Sequence, residues 1–226
     1  MLRRFFLKQI SAFDVIGPIM VGPSSSHTAG ALKISRICNL IANSKIISVD
    51  FTLYGSFSKT YKGHGTDRAL LGGILGYNTD DLRIANSIET ATKSDLIFSF
   101  IPDFETKQDH PNTILIEATT EKNQKISVLG VSTGGGAIKI ININGIDVNF
   151  KGEYHTILIE QIDTKGVISS ITSSLSDVNI AFMRVFRHKK GGTAFTIIET
   201  DENIPSEISA KIKKLDNIVD ISIIKI

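Results

Sequence analysis

Cysteine is nearly absent from this chain of 226 residues, which contains only Cys38. A single cysteine excludes an internal disulfide and any metal site made only of cysteines from this chain. Cys38 falls on the apolar face of a predicted helix, so we expect a buried structural thiol there.

The chain also lacks a strong excess of one charge and any long apolar run. Its formal net charge is only +2, and no basic stripe is present, which argues against nucleic acid as a partner. The dense basic run at 184–190 is interpreted as a hairpin turn. No apolar run approaches a membrane span, and the N-terminus has no signal-peptide core. We therefore expect a cytoplasmic protein with no membrane partner.

The hydrophobic pattern changes character near residue 150. Before it, a helix begins at Ala31, strands are predicted at Lys45–Tyr54 and at Leu96–Ile101 (ended by Pro102), and further strands follow to residue 150. This indicates a mixed α/β domain with a mostly antiparallel sheet. After it, the element order is βαββαβ, the ferredoxin-like motif. The sequence predicts an α+β chain with domains at 1–150 and 153–226.

A serine-rich motif, GPSSSHTAG at Gly22–Gly30, directly precedes the first predicted helix. Serine hydroxyls cap helices by accepting from free backbone N–H groups. Three serines exceed what a cap requires, and the surplus hydroxyls with the free N–H groups suit a carboxylate or phosphate. The alternative is a well-capped helix with a solvated serine loop.

A second motif, GSFSKTYKGHGTDRAL, spans Gly55–Leu70. Its His64 lies between two glycines and before a predicted helix that Thr66 or Asp67 would cap. An imidazole titrates near neutrality and suits a general base, although a plain loop histidine is the alternative. A triple glycine at Gly134–Gly136 either brings the backbone close to a ligand or forms a strand-end bulge.

These three stretches together resemble the β subunit of the iron–sulfur-dependent L-serine dehydratases, and 153–226 resembles an ACT domain. The resemblance implies conversion of L-serine to pyruvate and ammonia. It also implies a [4Fe–4S] cluster that is held by a partner α subunit and acts as a Lewis acid on the serine hydroxyl. No cluster or metal ligands are expected in this chain. ACT domains commonly pair side by side, which implies β–β pairing.

The motif residues receive roles from this chemistry and from the resemblance. His64 is the expected base, and His27 is its rival. The residues expected to hold the substrate are Ser24, Ser25, Ser26, His27, Thr28, Lys59, Gly65 and Gly135. Asp163, Gly166 and Val167 precede a helix in the second domain, where the resemblance implies an amino-acid effector or a pairing surface.

Two other functions remain open on the sequence. One is a non-enzymatic amino-acid-sensing regulator, which would not need His64. The other is a pyridoxal-phosphate lyase that uses Lys59. Nothing else in the sequence supports this second alternative.

Overall fold

The computed structural model describes residues 17–225, which form two β-sheets with helices packed against them. The helices are α1 (Gly30–Ala42), α2 (Gly55–Thr60), α3 (Thr66–Ile74), α4 (Ser87–Lys93), α5 (Val167–Ser173) and α6 (Ser206–Lys213), with a π-helical turn at Ser25–Ala29 and a 3₁₀ turn at Leu82–Asn86. The strands are β1 (Ile46–Tyr54), β2 (Ile97–Asp103), β3 (Thr113–Thr120), β4 (Lys125–Gly134), β5 (Ala137–Ile143), β6 (Ile146–Phe150), β7 (His155–Ile162), β8 (Ile180–Arg187), β9 (Thr193–Thr200) and β10 (Ile218–Ile224).

The first sheet has six strands in the order β2-β1-β3-β4-β5-β6. Only the β1–β2 pair is parallel, so the predicted mostly antiparallel sheet is confirmed. β2 continues through Pro102 to Asp103, so the prediction that Pro102 ends this strand was wrong. The physical reason is that β2 is an edge strand, where the missing proline N–H costs no ladder hydrogen bond.

The second sheet has four antiparallel strands in the order β10-β7-β9-β8, with α5 and α6 covering one face. The elements from β7 to β10 follow the order βαββαβ. The α+β fold class is thus confirmed. The boundaries 1–150 and 153–226 stay a prediction, as does the resemblance to an ACT domain.

Helix α1 lies between the two sheets. Its apolar residues recur every three to four positions, and Ile34, Ile37 and Cys38 are fully buried. The core around α1 also takes in side chains of the second sheet, including Phe195 and Ile224. Burial on several sides fixes α1 firmly and so fixes the polar turn that precedes it.

Helix α3 packs tightly against α1. A side-chain Cβ at Gly73 would lie 2.0 Å from Ser35 Oγ and 2.4 Å from Leu32 O. Only glycine permits this approach, which brings the beginnings of the two helices, and the loops before them, to one end of the molecule. Within residues 17–225 no helix is long and apolar enough to cross a membrane.

Candidate active site

The serine-rich motif forms the π-helical turn that leads into α1. Ser24 is its N-cap, with extended backbone (φ −140°, ψ 120°), and its Oγ accepts the backbone N–H of His27 at 3.1 Å. The predicted capping role of this motif is therefore confirmed for Ser24. The turn faces the loop at 61–65 that carries His64, which we call the histidine loop.

The short helix α2 connects β1 to the histidine loop. The chain turns at Gly55 (φ 57°), where a Cβ would lie 2.5 Å from Pro111 O. The N–H of Ser56 donates to the same carbonyl at 2.7 Å. This close approach requires glycine at position 55 and fixes the start of α2 against the segment before β3.

The two motifs meet in one polar cluster, which we call the histidine cluster: Ser24, Ser26, His27, Ser56 and His64. The rings of His27 and His64 have centroids 4.9 Å apart, with 33° between their planes. Thr28 Oγ1 donates to the His64 carbonyl at 2.9 Å and so ties the two loops together. The sequence motifs thus become neighbours in space.

Both ring nitrogens of His27 contact serine hydroxyls. Nδ1 lies 3.0 Å from Ser26 Oγ, and Nε2 lies 2.9 Å from Ser56 Oγ. Ser24 Oγ lies 3.3 Å from Ser26 Oγ and extends the chain of hydroxyls. A neutral imidazole has one donor and one acceptor, so one serine accepts from the ring while the other donates to it.

The surroundings of His27 favour its neutral form. Partial burial lowers the pKa of His27 below its ordinary value, and the nearby positive charge of His64 lowers that pKa further. The Phe57 ring packs edge-on against the imidazole at 5.2 Å and contributes to its burial. His27 therefore holds the neighbouring hydroxyls as a neutral group.

One ring nitrogen of His64 has no hydrogen-bond partner among the described residues. Its Nδ1 lies 3.3 Å from Thr60 O, and because a carbonyl only accepts, Nδ1 carries the hydrogen in this contact. In the neutral ring the lone pair is then on Nε2, for which the structure shows no hydrogen-bond partner among residues 17–225. Of the two histidines, His64 is thus better placed to accept a proton.

Ser56 is the site residue that the sequence analysis missed as a candidate. It lies in the second motif but outside its histidine-glycine part, at the first turn of α2. The signal in the sequence was its position directly after Gly55, the glycine that follows β1. Only the meeting of the two loops reveals its contact with His27.

The other predicted substrate-binding residues differ in burial and in hydrogen bonding. The Thr28 hydroxyl is buried and already donates to His64 O. Ser25 packs against Gly17, where a Cβ would lie 2.8 Å from Ser25 Cβ, and its hydroxyl forms no hydrogen bond with the described residues of the cluster. Lys59 is exposed on α2 and, within the described part of the chain, forms no hydrogen bond or ion pair with the cluster.

Gly65 caps α3 and adjoins His64. Its φ of 65° is left-handed, and a Cβ there would meet nothing within 4 Å. The predicted cap at Thr66 or Asp67 was wrong, because both lie inside the first turn of the helix. The reason is that Gly65 adopts the left-handed conformation at low cost and lets the chain enter the helix one residue earlier.

The triple glycine forms the turn between β4 and β5. Gly134, Gly135 and Gly136 have φ values of 103°, 60° and 77°, and the strand pairing shifts register between Ser132 and Gly134. The register shift fits the bulge interpretation, and the approach of Gly135 to a ligand stays a prediction. The turn also contacts α1, because Lys33 Nζ donates to Gly136 O at 2.9 Å.

The predicted effector residues lie at the turn between β7 and α5. The Asp163 carboxylate pairs with Arg187 and also accepts the backbone N–H of Gly191. These contacts, the one with Arg187 above all, lower the pKa of Asp163. Gly166 is the left-handed cap of α5 (φ 88°), and Val167 is buried. The Asp163 carboxylate is thus committed to a turn within this domain.

The chemistry of Cys38 does not fit a cluster ligand. The side chain is fully buried in α1, and burial raises the pKa of its thiol to about 12. A metal ligand must be a thiolate, which this environment opposes. Within residues 17–225, no three His, Cys, Asp or Glu side chains come together in a group suited to a metal ion.

Comparisons with known proteins find relatives that match along most of this chain. The family model described as serine dehydratase beta chain matches residues 11–96. The L-serine dehydratase beta chain of Peptoniphilus asaccharolyticus is 45% identical over 89% of this chain and 92% of its own length. A probable L-serine dehydratase beta chain of Bacillus subtilis is 38% identical over 96% of this chain and 98% of its own. The L-serine dehydratase TdcG of Escherichia coli is 35% identical over 57% of this chain but only 33% of its own length.

Proposed function

Because this chain belongs to the family of L-serine dehydratase beta chains, we propose that its histidine cluster supplies the base and the hydroxyl donors that convert L-serine to pyruvate and ammonia. The chain is thus the β subunit of a serine dehydratase. The observation that supports the proposed roles is the meeting of the two motifs. There, Nε2 of His64 has no hydrogen-bond partner within the described part of the chain, and His27 contacts two serine hydroxyls.

The reaction requires removal of a proton and of hydroxide from neighbouring carbons. In the proposed step, Nε2 of His64 takes the Cα proton of L-serine, and the C–H electron pair forms the new double bond as hydroxide leaves Cβ. The 2-aminoacrylate product tautomerises to an imine, which water hydrolyses to pyruvate and ammonia. General base catalysis of this kind contributes about 10²–10⁴-fold to the rate.

The serine hydroxyls would hold the substrate carboxylate. Negative charge grows toward that carboxylate as the Cα proton leaves, and donors fixed in advance stabilise it. His27 positions both Ser26 and Ser56, and its lowered pKa favours the neutral ring. The serine that accepts from the ring keeps its own hydrogen for the carboxylate, whereas the other serine donates its hydrogen to the ring and orients it. A neutral His27 also lets its neighbour His64 accept the proton without a second positive charge beside it.

A partner subunit fits both this chain and its relatives. The only cysteine here is buried and protonated, and TdcG carries about two thirds of its length outside the match. We propose that a partner α chain holds a [4Fe–4S] cluster with its own cysteines. When bound, that cluster supplies a Lewis acid for the departing hydroxyl group.

The second domain offers an edge for pairing two β chains. Strand β8 lies at the edge of its sheet and exposes Phe182 and Val185, each 44% accessible. Unpaired edge strands with apolar side chains readily add another strand. We propose that two copies join along β8, in line with the resemblance to ACT domains, and that the turn at Asp163 belongs to the effector or pairing region.

A non-enzymatic sensor is not favoured, because relatives that match along nearly their whole length are named L-serine dehydratase beta chains. The test is anaerobic production of this chain alone and together with the cluster-bearing chain, followed by a pyruvate assay on L-serine. We expect pyruvate only from the assembled pair, with loss of activity in air. Pyruvate formation by this chain alone would contradict the division of roles.

A further inference from the structure

A pocket of about 490 Å³ lies behind the serine-rich turn, apart from the histidine cluster. One wall is the segment Pro18–Ile19, and the next is the face of α1 that carries Lys33 and Arg36. The loop at 78–80 and Lys225, just after the last strand of the second sheet, complete it. The pocket therefore joins both sheets of the molecule and has the size of a small-molecule site.

Three cations converge on this pocket, and one carboxylate, Asp80, accompanies them. Lys33 donates to Gly136 O, and Lys225 donates to Asn203 Oδ1 at 3.1 Å. Arg36 has no hydrogen-bond partner among residues 17–225, and within the same range none of the three cations forms an ion pair. The pocket thus holds an excess of positive charge that the described residues do not neutralise.

Two of these cations are withdrawn from water. Lys33 and Arg36 are half-buried, and burial lowers the pKa of each. The negative charge of Glu153 raises the pKa of Lys33, but this effect is smaller than the lowering by burial. Arg36 loses hydration without a carboxylate or hydrogen-bond partner among residues 17–225, which raises the free energy of the folded state, and a bound anion would offset that cost.

We propose that this pocket binds a small oxyanion, a carboxylate or a phosphate, with Arg36 as its main ligand. The planar guanidinium donates two parallel hydrogen bonds to either group. Lys33 and Lys225, which also line the pocket, would add positive charge beside the anion. The pocket exceeds the size of a bare phosphate, and the apolar side chains of Ile19 and Leu32 suit the carbon part of an organic anion.

The position of the pocket connects it to the serine-rich turn. Lys33 reaches from the pocket wall to Gly136 O, and a Cβ at Gly136 would lie 2.5 Å from Pro18 Cδ. The segment that carries Pro18 also packs against Ser25 through Gly17. An anion that attracts the Lys33 ammonium would therefore compete with the Gly136 carbonyl, next to the loops that build the histidine cluster.

Calorimetric titration of the full chain tests the proposal without any dependence on catalysis. One arm uses inorganic phosphate, the other uses pyruvate, and sodium chloride at equal ionic strength is the blank. We expect saturable binding in at least one arm, which also distinguishes the two oxyanions. Arg36→Gln should weaken that binding at least about tenfold, the usual effect of losing a charged hydrogen bond.

Arg83→Gln is the matched control, since it removes an equal charge from an arginine that is already paired with Asp81 on the surface. This control should bind as the wild type does. Lys225→Gln decides the question if Arg36→Gln does not fold, as judged by circular dichroism, and it should also weaken binding. Equal loss of binding affinity in Arg36→Gln and Arg83→Gln would overturn the proposal.

The absence of saturable binding in both titrations would overturn it too. If Arg36→Gln then weakens assembly with the partner chain, these cations belong to a subunit interface.

Discussion

His27 and His64 lie with their ring centroids 4.9 Å apart, although each belongs to a different loop. Two imidazoles this close cannot both be charged without repulsion, and the partial burial of His27 decides which one stays neutral. The two rings thus have different roles: the neutral His27 orients hydroxyls, and His64 is placed to accept a proton.

The first prediction concerns the contact between Ser56 and His27. Ser56→Ala removes the hydroxyl that lies 2.9 Å from Nε2, and we expect kcat to fall by about fivefold, as for the loss of a hydrogen bond of about 1 kcal/mol. The measurement is steady-state pyruvate formation by the assembled enzyme. Ser169→Ala, at an exposed position of α5, is the control and should leave kcat unchanged. Equal rates for both variants and the wild type would remove Ser56 from the site.

The second prediction concerns stability against pH. The pKa of His27 is lowered in the folded chain, so the unfolded chain binds the proton more readily. The free energy of unfolding should therefore decrease as the pH falls from about 6.5, the ordinary histidine value, toward the lowered pKa of His27. Above that window His27 is neutral in both states and contributes no pH dependence.

Urea unfolding of the isolated chain across this range measures the effect. His27→Gln should flatten part of the pH dependence, because glutamine does not titrate. Ser169→Ala, at an exposed position of α5, is the control and should keep the wild-type slope, because serine does not titrate in this range. A steeper slope in His27→Gln than in the wild type would contradict the neutral assignment.

The sequence predicted the fold better than it predicted the contacts of the site. Strong periodicity located α1, and the strand pattern at Lys45–Tyr54 located β1 to within one residue. These features depend on neighbouring residues alone. The cap of α3 was misplaced by one residue, because whether glycine or threonine begins a helix depends on the loop before it.

The site was predictable as motifs but not as a network. His27 and His64 were singled out by their surroundings in the sequence, yet nothing local indicates that Ser56 would reach His27. That contact depends on the tight approach of Gly55 to Pro111 and on the packing of α3 against α1. Such contacts arise from tertiary structure, which local patterns do not contain.

The third prediction concerns the close approach of α1 and α3. Gly73→Ala would place a methyl group 2.4 Å from the backbone oxygen of Leu32, and we expect a loss of about 1–3 kcal/mol from overpacking. Gly72→Ala is the matched control, because its Cβ would meet only side chains at 3.4 Å or more. Alanine favours a helix over glycine, so this control should be neutral or slightly stabilising. Thermal unfolding measures both, and equal melting temperatures would contradict the packing argument.

The fourth prediction concerns Cys38 and iron. Burial raises the pKa of the Cys38 thiol to about 12, so a thiol reagent should react slowly with the native chain and rapidly in guanidinium chloride. Cys38→Ala should leave the iron content of the assembled enzyme unchanged, because the proposed cluster ligands lie on the partner chain. Loss of iron in a variant that still assembles would show that Cys38 is a ligand.

The central claim is that His64 is the base, and the most direct measurement is the rate of pyruvate formation by the anaerobically assembled enzyme with His64→Ala. We expect kcat to fall by about 10²–10⁴-fold while iron content and assembly stay at the wild-type level. His188→Ala, assembled in the same way, should retain the wild-type rate. Wild-type activity in His64→Ala would contradict the account and would move the proton transfer to His27 or to the partner chain.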